Sequence, residues 1–329
     1  MVKLNLDIPD NFYEGEERCG YYVSPEMKKI WAIELDLLNE LMTVLNNNDI
    51  KFYVFAGSML GAVRHNGMIP WDDDIDIMLP REDYNKLVQL ARDGYFKEPY
   101  FFQDHISDHG YLGGPARFMN LQTTCLAVGY LREKNGIFPG KLGIYVDVFP
   151  IDNIPDNDQE NWLNELTSTA KQAWNVNLYL YRNQLQDNVE VAAMANQIKE
   201  NNPDMLFQKY YNLLTESSSI PSKNVCVYSF YCRDTKTKWQ FPSNLLEGQV
   251  MLPFEFLTVP VPEHYEELLS LWYGNWNEFV KGASEHEMRD IGLFIDTEVS
   301  YLHYYTDGVL DRNKVKRALM EKYNYEFKE

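Results

Sequence analysis

The sequence predicts an α/β protein in which a mixed sheet is flanked by helices and followed by a mainly helical second half. Three observations carry this reading. Short apolar segments bounded by Gly, Pro and Asn interleave with segments of helical period through the first 150 or so residues. From about residue 156 the helical period dominates. The chain has 329 residues and 45% hydrophobic content, enough for a sizeable core in one large domain or two closely packed ones.

The elements follow in order. Ser24-Pro25-Glu26 is a helix start, with Ser24 as cap and Pro25 at the first helical position, and Ile30, Ile33, Leu37, Leu41 and Val44 recur at helical spacing up to Asn46-Asn47-Asn48. Lys51 to Ala56 reads as a short buried strand, turned by Gly57-Ser58 into an apolar helical stretch with Met59, Leu60 and Val63. Asp74 to Leu79 alternates polar and apolar like a strand. Pro80-Arg81-Glu82-Asp83 opens a second helix that ends near Gly94, and strands are expected around 100–103, 116–119, 123–128 and 143–149. The resulting core of residues 1–155 is of ordinary domain size. Beyond it, residues 157–183, 189–201 and 205–215 read as helices, 225–232 and 250–260 as extended, 263–273 as helix, and 311–323 as a polar, surface-exposed terminal helix. No Gly/Ser/Pro-rich linker separates the halves, so residues 156–329 are expected to pack directly on the core and wall a substrate cleft.

Composition excludes some classes of function. The net charge is −19 with no long basic stretch to offset it, so a nucleic-acid polymer would be repelled and no nucleic-acid partner is expected. No run approaches the roughly 18 apolar residues of a spanning helix, and the amino terminus lacks a basic start followed by an apolar segment, so the expectation is a soluble, cytoplasmic protein. Cys19, Cys125, Cys226 and Cys232 have neither zinc-site nor C-x-x-C spacing and read as reduced thiols.

The chemistry concentrates in Gly57 to Asp76. Backbone N–H groups at a strand-to-helix turn attract phosphate oxygens, and Ser58 would add a hydroxyl. Asp74 and Asp76 lie two apart in the alternating segment, so both leave one face as hard oxygen donors for magnesium or manganese. Asp72 shares their parity and joins them if the strand begins early, whereas Asp73 should point away. A calcium loop fails because its sixth position requires Gly, and here it is Ile77. A Gly-Ser turn feeding such carboxylates implies metal-assisted phosphoryl or nucleotidyl transfer.

The string LGAVRHNGMIPWDDDIDIMLPREDY resembles the signature of the LicD family, which is similar to the fukutin-type transferases and belongs to the nucleotidyltransferase-fold superfamily. Gly143 to Asp152 resembles the family's downstream motif, which makes Asp147 the third metal ligand, with Asp152 outside the strand and away from the metal. Arg117 with Thr123-Thr124, Pro253-Phe254-Glu255, and Pro262-x-x-Tyr265 leading to Tyr273-Gly274-Asn275-Trp276 extend the likeness over about residues 30–276. The resemblance implies a nucleotidyltransferase-like sheet and a metal-dependent enzyme. Its reaction would move phosphocholine or a polyol phosphate from a CDP-linked donor such as CDP-choline to a cell-surface glycan (lipopolysaccharide, teichoic acid or capsule), releasing CMP.

In that reading Asp74, Asp76 and Asp147 are catalytic and metal-binding. Gly57, Ser58, Arg64 and Arg117 hold donor phosphate, the arginines because a guanidinium fork suits phosphate oxygens, with a structural ion pair as the competing role for each. The chain would work without a transmembrane segment, its association with glycan-assembly machinery being peripheral. An NTP-dependent nucleotidyltransferase acting on a small molecule uses the same turn and carboxylates, and an inactive relative binding a glycan or partner is the non-enzymatic alternative. His65 reads as a structural residue and Trp71 as a buttress of the acidic loop, while the 23 tyrosines, Tyr179, Tyr181, Tyr210, Tyr211, Tyr304 and Tyr305 among them, fill core or line a cleft and enter no site.

Overall fold

The computed structural model describes residues 1–108, 111, 115–128, 140–182, 185–201, 205–227, 239–280 and 292–323. A small hairpin of β1 (Glu16–Arg18) and β2 (Tyr21–Val23) leads into helix α1 (Pro25–Asn47), whose Ser24 cap accepts the Met27 N–H at 3.2 Å. Strand β3 (Tyr53–Val54) is only two residues long, because the helix α2 (Ala56–His65) starts earlier than the Gly-Ser pair. Next come β4 (Asp76–Pro80), α3 (Arg81–Arg92), β5 (Tyr100–Gln103), β6 (Ala116–Asn120), β7 (Thr124–Ala127) and β8 (Ile144–Asn153). The helices α4 (Gln159–Arg182), α5 (Val189–Asn201) and α6 (Met205–Ser218) form the helical second half. They are followed by β9 (Asn224–Cys226), β10 (Gln240–Pro242), β11 (Gln249–Phe254), β12 (Leu257–Pro262), α7 (Tyr265–Tyr273), β13 (Leu293–Asp296) and α8 (Arg312–Tyr323).

The central sheet is mixed. β4 and β8 run parallel with Asp76 opposite Asp147, β3 pairs antiparallel with the outer edge of β4, and β6 pairs antiparallel with the other edge of β8, placing Arg117 opposite Asp147. β5 extends this side, while β9 and β10 continue the sheet beyond Asp152. Alternation gives β8 two unlike faces. Ile144, Val146 and Val148 are buried, and Tyr145, Asp147 and Phe149 are partly open. Tyr100, aligned through Asn120 with Ile144, donates its O–H to Asp36 of α1 at 3.1 Å, which sets α1 on the buried side.

Asp152 belongs to β8 rather than lying outside it. Five residues from Asp147, it leaves the opposite face and forms a buried, two-pronged ion pair with Arg81 of α3 at 2.6 and 2.7 Å. The segment expected as one extended run over 250–260 is a hairpin of β11 and β12, turned at Glu255-Phe256. β13 pairs with β7, a partnership between distant segments that local periodicity does not carry. The 225–232 stretch past residue 227, Cys232 and the Tyr181 side chain lie outside the described residues; among those described, Cys19, Cys125 and Cys226 form no disulfide. α8 is exposed or half-buried apart from Val315 and Leu319, which anchor it on a small cluster with Phe294 and Tyr304.

The principal core joins both halves of the chain. It packs Trp31, Leu38, Met59, Ile77, Phe118 and Val148 with Phe241, Phe254, Val261, Leu268 and Trp272. A second cluster lies among α4, α5 and α6 and includes Ile154 and Cys226.

Candidate active site

The acidic run approaches the sheet from above its parallel pair. Residues 72–75 precede β4 and have no regular secondary structure, so strand alternation does not govern them. Asp74 is therefore not the strand residue that the polar–apolar pattern suggested. Asp73, expected to turn away, is buried, yet one carboxylate oxygen each from Asp72, Asp73 and Asp74 lies within 4.8 Å of the others.

Asp76 opens β4 directly opposite Asp147. Lost hydration, with the charges of Asp74, Asp147 and Asp72, holds the Asp76 pKa well above the usual carboxylate range. Burial and Asp74 likewise push Asp73 up to about 8. The structure thus gathers Asp72, Asp74, Asp76 and Asp147 into one electrostatic group, with Asp73 beside them.

Glu34 of α1 is the residue that sequence reading missed. It is 3% exposed, and burial together with Asp74, Asp73, Asp72 and Asp76 raises its pKa strongly. Its signal was present: with Ile30, Leu37 and Leu41 it shares the buried stripe of α1, a carboxylate at a core position. Tyr273, at the end of α7, also faces the cluster. Burial and the charges of Asp76, Asp72 and Asp74 raise its phenol pKa.

Gly57 and Ser58 lie in the first turn of α2, where backbone N–H groups have no helical acceptor and the helix dipole is positive. Gly57 permits close approach, since a Cβ there would fall 2.7 Å from Asp72 Oδ2. Ser58 Oγ accepts the Asp76 N–H at 2.8 Å, tying helix to strand. Ala56, with φ of +46°, bends the chain into this turn.

The two arginines part company. Arg117 meets Asp147 at 3.1 Å and lies 3.8 Å from the centre of the Tyr145 ring, inside the site. Arg64 is six residues along α2 from Ser58, roughly 9 Å at 1.5 Å per residue, and it donates to the Trp276 and Glu278 carbonyls at 2.9 and 3.1 Å beneath the Phe279 ring. Its contacts thus fasten α2 to the segment after α7. His65 accepts from Arg64 Nε at 3.0 Å, and buried Trp71 packs edge-on against Tyr21 and His65, the structural roles expected of both.

The donor set fits a hard divalent cation. The oxygens are carboxylates, Glu34 Oε2 and Asp73 Oδ2 are buried with no hydrogen-bond partner among the described residues, and such crowding is costly without a counter-charge.

Residues 49–176, which hold α2, β4 and the paired strand β8, match the LicD/FKTN/FKRP nucleotidyltransferase domain. These residues form a LicD-family nucleotidyltransferase domain within the chain. The lipopolysaccharide cholinephosphotransferase LicD of Haemophilus influenzae is 23% identical over 271 residues, 76% of this chain and 92% of its own length. An uncharacterized protein of Rickettsia prowazekii is 32% identical over 122 residues, 37% of this chain and 40% of that protein. The ribitol 5-phosphate transferase FKRP of mouse and human is 40% identical over 47 residues, 14% of this chain and 10% of theirs.

Proposed function

We propose that this chain transfers a phosphorylated alcohol, phosphocholine or a polyol phosphate, from a CDP-linked donor to a hydroxyl of a cell-surface glycan and releases CMP. The observation that carries the reading is Asp76 set opposite Asp147 on adjacent parallel strands, with the Asp72–Asp74 run and the first turn of α2 closing over them. Those matched relatives that carry an activity in their names are called transferases of choline phosphate or ribitol 5-phosphate, and this supports the choice of transferred group. No helix among the described residues is long and apolar enough to cross a membrane, so a cytoplasmic site of action and peripheral contact with glycan assembly belong to the proposal.

In this reading the glycan hydroxyl attacks the phosphorus that carries the alcohol. Its oxygen forms the new P–O bond, the bond to CMP breaks, and CMP departs with the electron pair. The first-turn amides of α2 at Gly57 and Ser58 hold donor phosphate, and Arg117 can exchange its Asp147 partner for a phosphate oxygen. Arg64, engaged by backbone carbonyls, positions α2 instead. One of the clustered carboxylates would take the hydroxyl proton as general base. Magnesium or manganese held by Asp74, Asp76 and Asp147, with Asp72 alongside, would neutralise diphosphate charge and stabilise the departing CMP.

The test is incubation with either metal, a panel of CDP-alcohols and NTPs, and a glycan acceptor. CMP release from a CDP-alcohol, with the phospho-alcohol found on the glycan, is the expected outcome. Pyrophosphate from an NTP would make the chain a nucleotidyltransferase, and neither product, despite measurable metal binding, would make it a binding module.

A further inference from the structure

Glu255 stands outside the acid cluster and contacts the segment that leads into it. The residue turns the β11–β12 hairpin at φ +52°, a left-handed conformation that non-glycine residues rarely adopt. Such a conformation persists where surrounding contacts over-determine it. Here they do. The Glu255 N–H donates to the Asn66 carbonyl at 2.9 Å, and Oε1 of its side chain accepts the Met68 N–H at 3.0 Å.

Gly67, between these two anchors, lies so near the carboxylate that any Cβ would overlap Oε1. On its other side the Gly67 carbonyl packs on α2 at Gly61, where a Cβ would overlap it as well. Arg18 of β1 grips the same carboxylate through both Nη atoms, with Nη2 3.1 Å from Oε2, and the Glu255 side chain is 7% exposed. The chain then reaches Asp72 within five residues of Gly67. Asp72 is held in turn by its N–H on the Ile69 carbonyl at 3.0 Å and by Trp31 Nε1 on its own carbonyl at 2.8 Å.

We propose that Glu255 is a positioning residue for the acid run: clamped by Arg18, it fixes residues 66–68 against α2 and so sets where Asp72, Asp73 and Asp74 stand relative to Gly57 and Ser58. The inference rests on the cation site of the transferase reading. It assigns a task to the Pro253-Phe254-Glu255 motif and to the amino-terminal hairpin, neither of which touches the reacting groups.

The test compares wild type, Glu255→Gln, Gly67→Ala and, as a control for general destabilisation, Asp152→Asn on the opposite face of β8. Two quantities are measured well below the melting temperature of every variant: amide hydrogen exchange over residues 66–74 in metal-free protein, and Mn2+ affinity by calorimetry. Glu255→Gln and Gly67→Ala should accelerate exchange in that segment at least tenfold and weaken Mn2+ binding about 10-fold or more, the lower range for outer-shell changes. Asp152→Asn should lower the melting temperature and change neither quantity. Unaltered exchange over 66–74 in Glu255→Gln overturns the proposal, as does unaltered affinity in that variant when wild type binds Mn2+. A wild type that binds no Mn2+ sinks the cation reading separately, and the exchange measurement then decides the positioning role alone.

Discussion

At the level of single residues, the acid cluster is a set of like charges that the fold holds together at a cost. Asp76→Asn and Asp147→Asn each remove one charge from the facing pair on β4 and β8. Because outer-shell changes alone cost roughly 10–100-fold in affinity or activity, these two should reduce turnover by more than about 100-fold at saturating Mg2+, with the metal-free fold no less stable. Activity within a few-fold of wild type in either variant would remove that residue from the site. His65 makes a separate, pH-dependent contribution. Burial, with Arg64 and Arg18 nearby, pushes its pKa down to about 4, and its Nε2 must stay unprotonated to accept from Arg64. The unfolded chain protonates this histidine near its ordinary value of about 6.5. As pH falls from there toward 4, only the unfolded state gains the proton and stability is lost; below about 4 both states carry it. The stability advantage of wild type over His65→Gln should therefore shrink between pH 7 and 4, as read from urea midpoints, and a difference independent of pH would refute the neutral-histidine assignment. That Asp74, Asp76 and Asp147 lie near one another was legible from the motifs, whereas the placement of Asp73 was not, since alternation is a rule for strands and residues 72–75 have not entered one. Glu34 was legible as a carboxylate on the buried stripe of α1, but a local pattern does not tell which charges that stripe will meet.

Among the elements, helices announced themselves most clearly. The Ser24 cap, the Pro25 start and the Arg81 to Arg92 helix stand where caps and periodicity put them, because those signals act within one turn of chain. Pairings were less legible. That β13 joins β7, or that residues 249–262 fold back as a hairpin, depends on partners that a local pattern does not encode. The Arg81–Asp152 pair shows how one element is locked to the next: Asp152 also accepts from Ser218 of α6 at 3.0 Å, so α3, β8 and α6 meet at a single buried carboxylate. Asp152→Ala would leave the Arg81 guanidinium, 4% exposed, without its counter-charge. Breaking a buried pair in this way costs about 3–5 kcal/mol, so the urea midpoint of metal-free protein should fall accordingly. A loss under 1 kcal/mol would mean that water or Tyr84 and Tyr211, whose rings lie under the guanidinium, compensates it.

For the molecule as a whole, the question is whether residues 1–155 constitute a catalytic unit by themselves. They contain the acid cluster, the first turn of α2 and the strands that pair Asp76 with Asp147. Their core is nevertheless completed from elsewhere: Val225, Val227, Phe241, Leu245, Phe254, Val259, Val261, Leu268, Leu269, Trp272 and Ile295 are buried in the same cluster as Trp31 and Ile77. Fully burying one large apolar side chain stabilises by about 1.5–3 kcal/mol, so these eleven side chains represent roughly 16–33 kcal/mol. That exceeds the net stability of about 5–15 kcal/mol that a whole domain retains. The clamp on Gly67 would go too, since Glu255 lies in the missing portion. A fragment of residues 1–155 should therefore fail to fold cooperatively, showing broad thermal unfolding, dye-binding apolar surface and no Mn2+ binding above that of an unfolded control. If it instead melts sharply and binds Mn2+ as the full chain does, the first half is an autonomous domain, and the later hairpin and α7 serve the substrate cleft without being needed to build the site.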